Sequence, residues 1–288
     1  MPHKNWFLSV ALASENLGNG VATQRVLIPL EPYGGTSQGS AVMAADILWK
    51  EQYLPTIRRE ADGILYPNSP QLICEDSLVL SSLKQRFYHL LRIIAPRTTL
   101  IKVEADDCFA WLASQYEQPN RFYHTLDHLY SCFIEFDFVL HLANDPELLA
   151  YALFFHDVAT SEEESAAHAV SCFLRLFRTD PSITGTGSHI TTLVLATRHI
   201  EQQTSFDAKL ICDIDLAALG AKPDVFDCLY GLIRKEYSHL SDKQFATGRK
   251  QFLKGLLNKE QIFQTEYFRD KYEAQARANI HRCISQLS

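Results

Sequence analysis

The segment Tyr151–Asp157 is an apolar run that ends abruptly in His156-Asp157. Two metal-competent side chains at the end of a buried segment are costly unless something binds them. The pair therefore suits the centre of a metal site. A helix C-terminus, with the imidazole donating to a last carbonyl, accounts for it equally. Two other stretches gather the same residue types. In Arg121–His128, His124 and His128 stand four apart, which places them on one helix face, with Glu135 further along it. If Thr125 caps that helix, His124 falls just before it and His128 in its first turn, and the two stay close. In Leu210–Gly220, Asp213 and Asp215 interrupt an apolar run. Two residues apart on a helix they point in different directions, so one can face a site while the other serves a cap or a supporting contact. The alternative is an N-cap at Asp213 with Asp215 in the first turn, favoured by the helix dipole.

The elements that would carry these stretches read as helices. Leu148, Leu149, Ala152, Leu153 and Phe155 make the helix before His156 apolar nearly all round, so it should be central. Leu126, Leu129, Phe133 and Phe136 look like the core side of the helix bearing His128. Helical patterning predicts helices over 77–94, 99–117, 122–142, 146–157, 162–178, 187–200, 207–219, 223–238, 241–257 and 265–286. Asn144-Asp145-Pro146 combines a cap with a first-turn proline. Phe226, Leu229, Tyr230, Ile233 and Tyr237 recur at helical spacing and read as a buried stripe. No alternating strand pattern follows residue 75, so the domain 76–288 should be all-α.

Residues 1–75 differ and read as an N-terminal extension of mixed or irregular structure. Val21–Leu30 alternates weakly between glycine- and proline-rich punctuation, which predicts strands or extended loops. Gly34–Ser40 lacks the Gly-Lys-Ser/Thr ending of a phosphate loop and reads as a plain loop. Ser40–Ile64 turns helical, and Tyr66–Pro70 breaks the chain.

With 288 residues, 47% hydrophobic, the chain can bury a substantial core. The net charge of −7 argues against binding nucleic acid or anionic membrane by bulk attraction. No apolar run is long enough to span a bilayer, and Met1–Val10 does not read as a signal peptide. The seven cysteines, at 74, 108, 132, 172, 212, 228 and 283, form no Cys-x-x-Cys. They read as reduced, mostly core-packed thiols, and the expected location is cytoplasmic.

In the order His…His-Asp…Asp, within an all-helical protein, the three stretches resemble the HD-domain metal-dependent phosphohydrolase superfamily. The resemblance covers roughly residues 80–288 and is closest to a subfamily described as predicted metal-dependent HD phosphohydrolases. It rests on Tyr123-His124-x-x-x-His128, Phe155-His156-Asp157-Val158, Glu162-Glu163-Glu164-Ser165-Ala166, Ala196-Thr197-Arg198-His199 and Asp213-x-Asp215-Leu216-Ala217-x-Leu219-Gly220. Glu236-Tyr237, Gly248-Arg249, Ile262-Phe263-x-Thr265 and Ala276-Arg277-x-Asn279 extend it. The link between His156-Asp157 and the Glu-Glu segment, Val158–Ser161, is shorter than is usual in that subfamily. The first 75 residues match nothing in it.

The resemblance implies a divalent ion held by His128, His156, Asp157 and Asp215. By similarity to cyclic-nucleotide phosphodiesterases, His124 is the proton donor, and Asp215 is selected over Asp213 because it precedes a Leu. Two imidazoles and two carboxylates suit Mn, Mg, Fe, Co or Zn. Metal-activated water would then hydrolyse a small phosphorylated molecule, of which a nucleotide is the first expectation. Glu162 or Glu163 could orient the water or bind a second ion, or could be solvated charges in a helix's first turn. Arg198 is a candidate phosphate clamp, with Arg121 and Arg249 as weaker ones, and His199 is expected to line the site. A di-iron oxygenase is the alternative, with His168, His189 and His199 as the extra histidines it needs. A non-catalytic nucleotide-binding or interaction protein is the third reading. The first 75 residues could serve as a partner or homodimer surface.

Overall fold

The computed structural model describes residues 6–14, 22–29, 71–94, 102–177 and 185–287. The chain divides into two compact units, Met1–Ser82 and Leu83–Ser288. In the first, β1 (Trp6–Ser14) pairs antiparallel with β2 (Ala22–Pro29) and with β3 (Gln71–Cys74), giving the order β2-β1-β3. The register runs Phe7↔Pro29 to Ser14↔Ala22 on one edge of β1, and Trp6↔Cys74 to Ser9↔Gln71 on the other. The weak alternation before Leu30 thus forms strand. The loop expected at Gly34–Ser40, the helix expected over Ser40–Ile64 and the break at Tyr66–Pro70 lie outside the described residues.

The second unit is all-α among its described residues. Helix α1 (Glu75–Ile94) runs into it and is followed by α2 (Lys102–Tyr116), α3 (Leu126–Val139), α4 (Pro146–Phe155) and α5 (Glu162–Phe177). Then come α6 (Thr186–Ala196), α7 (Phe206–Leu216), α8 (Pro223–Glu236), α9 (Asp242–Leu257) and α10 (Glu266–Gln286). Short 3-10 turns, Leu140–Leu142 and Ala217–Gly220, follow α3 and α7. Helix α4 is the hub. It packs against α3, α5, α6 and α7, and every residue from Leu148 to Phe155 is buried. An all-apolar helix surrounded on all sides is what its sequence demands.

Caps fix where the helices begin. The Asp145 carboxylate accepts from Leu148 N at 3.0 Å, with Pro146 in the first turn of α4. The buried Asp207 accepts from Asn144 N at 2.7 Å and Asp145 N at 2.9 Å, tying the start of α4 to the start of α7. Ser241 and Gln244 form a reciprocal capping box at α9.

Two sequence expectations need correction. Cys108 on α2 and Cys172 on α5 form a disulfide, with Cα atoms 6.8 Å apart, so these two cysteines are not free thiols. They are 64 residues apart and meet only because α2 and α5 pack together. Cys132, Cys212, Cys228 and Cys283 are free. The stripe on α8 is not core either. Phe226 is buried, but Leu229, Tyr230 and Ile233 are only partly covered and Tyr237 is 42% exposed. These residues face a pocket. Among the described residues no helix is long and apolar enough to cross a membrane.

Candidate metal centre

The helices that carry the chemistry stop where the chemistry begins. Helix α4 ends at Phe155, α6 at Ala196 and α3 starts after Thr125, leaving His156-Asp157, Arg198-His199 and His124 on the adjoining turns. Only His128 and Asp215 project from within helices, one turn from the N-terminus of α3 and near the C-terminus of α7.

These ends converge. His156 Nε2 lies 3.4 Å from His128 Nε2 and 3.1 Å from Asp157 Oδ2. His128 Nε2 lies 3.3 Å from both Asp157 Oδ2 and Asp215 Oδ1, and His156 Nε2 is 3.5 Å from Asp215 Oδ1. Ligand atoms about 2.1 Å from one ion stand about 3.0–3.4 Å apart in octahedral or tetrahedral arrangements, so these separations are of coordination size. His156 serves the helix end while its ring also faces the cluster. Its Nδ1–H donates to Leu153 O at 2.7 Å, closing the helix end, and that bond leaves the Nε2 lone pair facing the cluster. Asp157 Oδ2 is buried and has no hydrogen-bond donor committed to it. A bare carboxylate oxygen in that position calls for a cation.

The charges agree with this. Burial alone would raise Asp157 and Asp215, yet the surrounding imidazoles hold both carboxyls well below the usual range. Burial would likewise lower His128 and His156. Cys132 and the two carboxylates outweigh it at His128, and Asp157 and Asp215 at His156, so both rise well above their ordinary value. Protons thus hold together a set of groups that a divalent ion would hold instead.

The buried group His128, Cys132, His156 and Asp215 could hold a metal ion. Cys132 was not singled out in the sequence, although its place four residues after His128 on a helix is the signal that finds it. Its Sγ lies 3.6 Å from Nε2 and 4.0 Å from Nδ1 of His128, also interacts with His156, and is within 4.8 Å of the other ligand atoms of the group. Asp157 Oδ2 stands nearer, 3.3 Å from His128 Nε2 and 3.1 Å from His156 Nε2, so it competes with the thiol for the same ion.

Around this cluster sits a set of positioning contacts. His199 Nε2–H donates to Asp215 Oδ2 at 2.7 Å, leaving Oδ1 for the cluster. His199 holds the left-handed backbone conformation (φ 56°), and its carbonyl accepts from Lys259 Nζ at 2.7 Å. A non-glycine residue in that region is a strain that clusters at functional sites. Asp213 points the other way: its carboxylate accepts from Gln264 N, Thr265 N and Thr265 Oγ1, each at 2.7 Å, and so pins the turn that leads into α10. Burial pushes its carboxyl up to about 6 against those hydrogen bonds. Asn279 Nδ2 donates to Leu219 O and Ala221 O and pins the turn that follows Asp215. Gly220 in that turn has no room for a side chain, since a Cβ would meet Tyr272 at 2.6 Å.

His124 lies outside the cluster, on a loop tied down by one carboxylate. Glu236 Oε1 accepts from the backbone N–H groups of Phe122, Tyr123 and His124, each at 2.8 Å. Its Oε2 accepts from His124 Nδ1 at 2.6 Å. Burial would raise the Glu236 carboxyl, but His124 and these amides bring it down to about 2. The ionised acceptor fixes the Nδ1–H tautomer. Glu236 stood in the sequence only as part of a motif, with no role attached.

The cluster opens onto a pocket of about 480 Å³. His124, Asp157, Asp215, His199, Glu162 and Arg198 line it, and α8 and α9 form the opposite wall. Glu163 does not line it; it pairs with Arg198 at 2.8 Å. Glu135 is remote from the site and binds Lys271 and Tyr272. Of the three extra histidines, His199 alone lines the pocket, while His168 pairs with exposed Glu164 and packs on Trp111. Arg121 donates to His124 O at 3.0 Å and so braces the loop. Comparison with protein families, with curated proteins and with solved structures finds no match to this chain.

Proposed function

We propose that this protein is a metal-dependent phosphohydrolase of the HD type, acting on a small phosphorylated molecule. The observation that carries the reading is the convergence of His128, His156, Asp157 and Asp215 at 3.1–3.5 Å, with Asp157 Oδ2 buried against both imidazoles and held by no well-formed hydrogen bond. These four side chains would hold the ion, and Cys132 would pack behind His128. A divalent ion there supplies polarisation of a phosphoryl oxygen and lowers the pKa of a water molecule.

The chain's own residues supply the rest. His124, with Nδ1–H committed to Glu236, presents Nε2 to the pocket, where its protonated form can deliver a proton to the leaving oxygen. His199 holds Asp215 in orientation through the oxygen that does not face the cluster. Arg198, balanced by Glu163, lines the pocket and can swing to a phosphoryl oxygen. Glu162 lines the pocket and can accept a hydrogen bond from the attacking water.

The test is a phosphorylated-metabolite screen with a panel of divalent metals on wild type and Asp157→Ala. Release of inorganic phosphate or a phosphate ester that depends on added metal, and that Asp157→Ala abolishes, is the expected result. Metal-independent activity, or full activity in Asp157→Ala, would overturn the assignment.

A further inference from the structure

The pocket wall formed by α8 and α9 contains a cation with no anion paired to it among the described residues. Arg249, on α9, lines the pocket, and its Nε is fully buried with no hydrogen-bond partner. Its guanidinium lies over ring faces, 5.2 Å from the centroid of Phe252 and 6.0 Å from that of Tyr230. The groups that act on its charge most strongly are Cys283 and the phenols of Tyr123, Tyr230 and Tyr237, and none is a carboxylate. Burial pushes the Cys283 thiol and the Tyr230 phenol up, and Tyr123 up to about 12, so these three carry no charge near neutral pH. A desolvated guanidinium without a counter-charge is costly, and ring faces offset only part of that cost.

The surroundings define what would complete it. Tyr230, Ile233, Tyr237, Phe245 and Phe252 line the same stretch of pocket. The rings of Tyr230 and Tyr237 each stand 5.9 Å from Phe245. Partly open aromatic faces beside a planar guanidinium suit a flat apolar body bearing a negative group.

We propose that Arg249 and the α8–α9 ring wall form a second subsite, which takes an anionic group, phosphate or carboxylate, carried on a flat apolar body. It follows that the substrate of the metal cluster bears a negative charge beyond its reacting phosphoryl group; this second statement rests on the phosphohydrolase reading above.

Chelator-treated full-length protein, wild type, Arg249→Gln and Asp157→Ala, is titrated calorimetrically with phenyl phosphate and with benzyl alcohol as the uncharged control. Wild type and Asp157→Ala are expected to bind phenyl phosphate roughly tenfold more tightly than Arg249→Gln does, the scale of one charge-assisted contact. Benzyl alcohol should bind all three alike. Equal phenyl phosphate affinity in wild type and Arg249→Gln would overturn the subsite. Folding gives an independent readout: removing an unpaired buried charge should leave the ligand-free Tm of Arg249→Gln equal or higher, and a markedly lower Tm would mean that Arg249 already has a partner. Kinetics then tests the substrate class. Arg249→Gln should raise KM roughly tenfold for nucleoside bisphosphates and leave nucleoside monophosphates nearly unchanged. An equal rise for both classes would overturn it. If wild type hydrolyses nothing, the phosphohydrolase reading falls while the calorimetric difference still decides the subsite.

Discussion

Replacing Glu236 by Gln isolates the contact that holds the proposed proton donor. The substitution keeps shape and one carbonyl oxygen, so the three backbone N–H groups of Phe122, Tyr123 and His124 keep an acceptor. It puts an amide NH₂ where Oε2 faced His124 Nδ1 and so favours the opposite imidazole tautomer. The magnitude follows from the carboxyl's own position. A fall from 4.5 to about 2 is worth about 3 kcal/mol at about 1.36 kcal/mol per pH unit. The side chain is 10% exposed and pairs with a His124 ring that is 34% exposed, and solvent screening reduces the figure to about 2 kcal/mol. The sign is fixed by the direction. A carboxyl held below its unfolded value stabilises fully above pH 4.5, and its contribution is lost as pH falls toward 2. Urea denaturation of wild type and Glu236→Gln from pH 8 downwards should show a constant gap of about 2 kcal/mol that begins to close below pH 4.5. No gap at neutral pH, or a gap that widens with acid, would refute the reasoning. Catalytically, the variant should lose kcat roughly a hundredfold with little change in KM, the scale of a displaced general acid.

Other outcomes follow from the same contacts. His199→Ala frees Asp215 Oδ2 and should weaken metal affinity roughly tenfold or more, read by competition with a fluorescent chelator. Gly220→Ala forces a Cβ to within 2.6 Å of Tyr272 and should cost about 2 kcal/mol in urea denaturation. Peptide mapping without reductant should recover Cys108 linked to Cys172, and Cys108→Ala should lose up to about 4 kcal/mol, given the 64-residue separation that the link spans.

The helices of the second unit were legible because their apolar spacing, prolines and caps all agree, as at Asn144-Asp145-Pro146 before α4. What periodicity cannot report is what lies opposite a face. Phe226, Leu229, Tyr230, Ile233 and Tyr237 share one face as their spacing required, but most of that face borders a pocket instead of packed side chains. Helix ends were overrun for a related reason. Expected helices reached 157 and 200, whereas α4 stops at Phe155 and α6 at Ala196, because polar residues there turn to one another through tertiary contacts. The site residues His128, His156, Asp157 and Asp215 were individually visible as polar breaks in apolar runs, and the fold brings them together. Their supports were not visible. Glu236 reaches His124 across 112 residues, and Asp213 meets Thr265 across 52, distances at which sequence spacing carries no geometric information. Cys132 lies within reach of the helical spacing rule from His128, but a free cysteine in an apolar setting reads first as core.

Whether a metal is bound, and by which side chains, decides the proposed centre most directly. Full-length protein purified without chelator is analysed by inductively coupled plasma mass spectrometry beside Asp157→Ala and Cys132→Ala, with cobalt-loaded samples examined by absorption spectroscopy. Near-stoichiometric divalent metal in wild type and Cys132→Ala, its loss in Asp157→Ala, and no thiolate-to-cobalt charge-transfer band are the predicted results. Wild-type protein that binds no divalent ion, or metal that survives in Asp157→Ala but disappears in Cys132→Ala, would contradict the proposed centre.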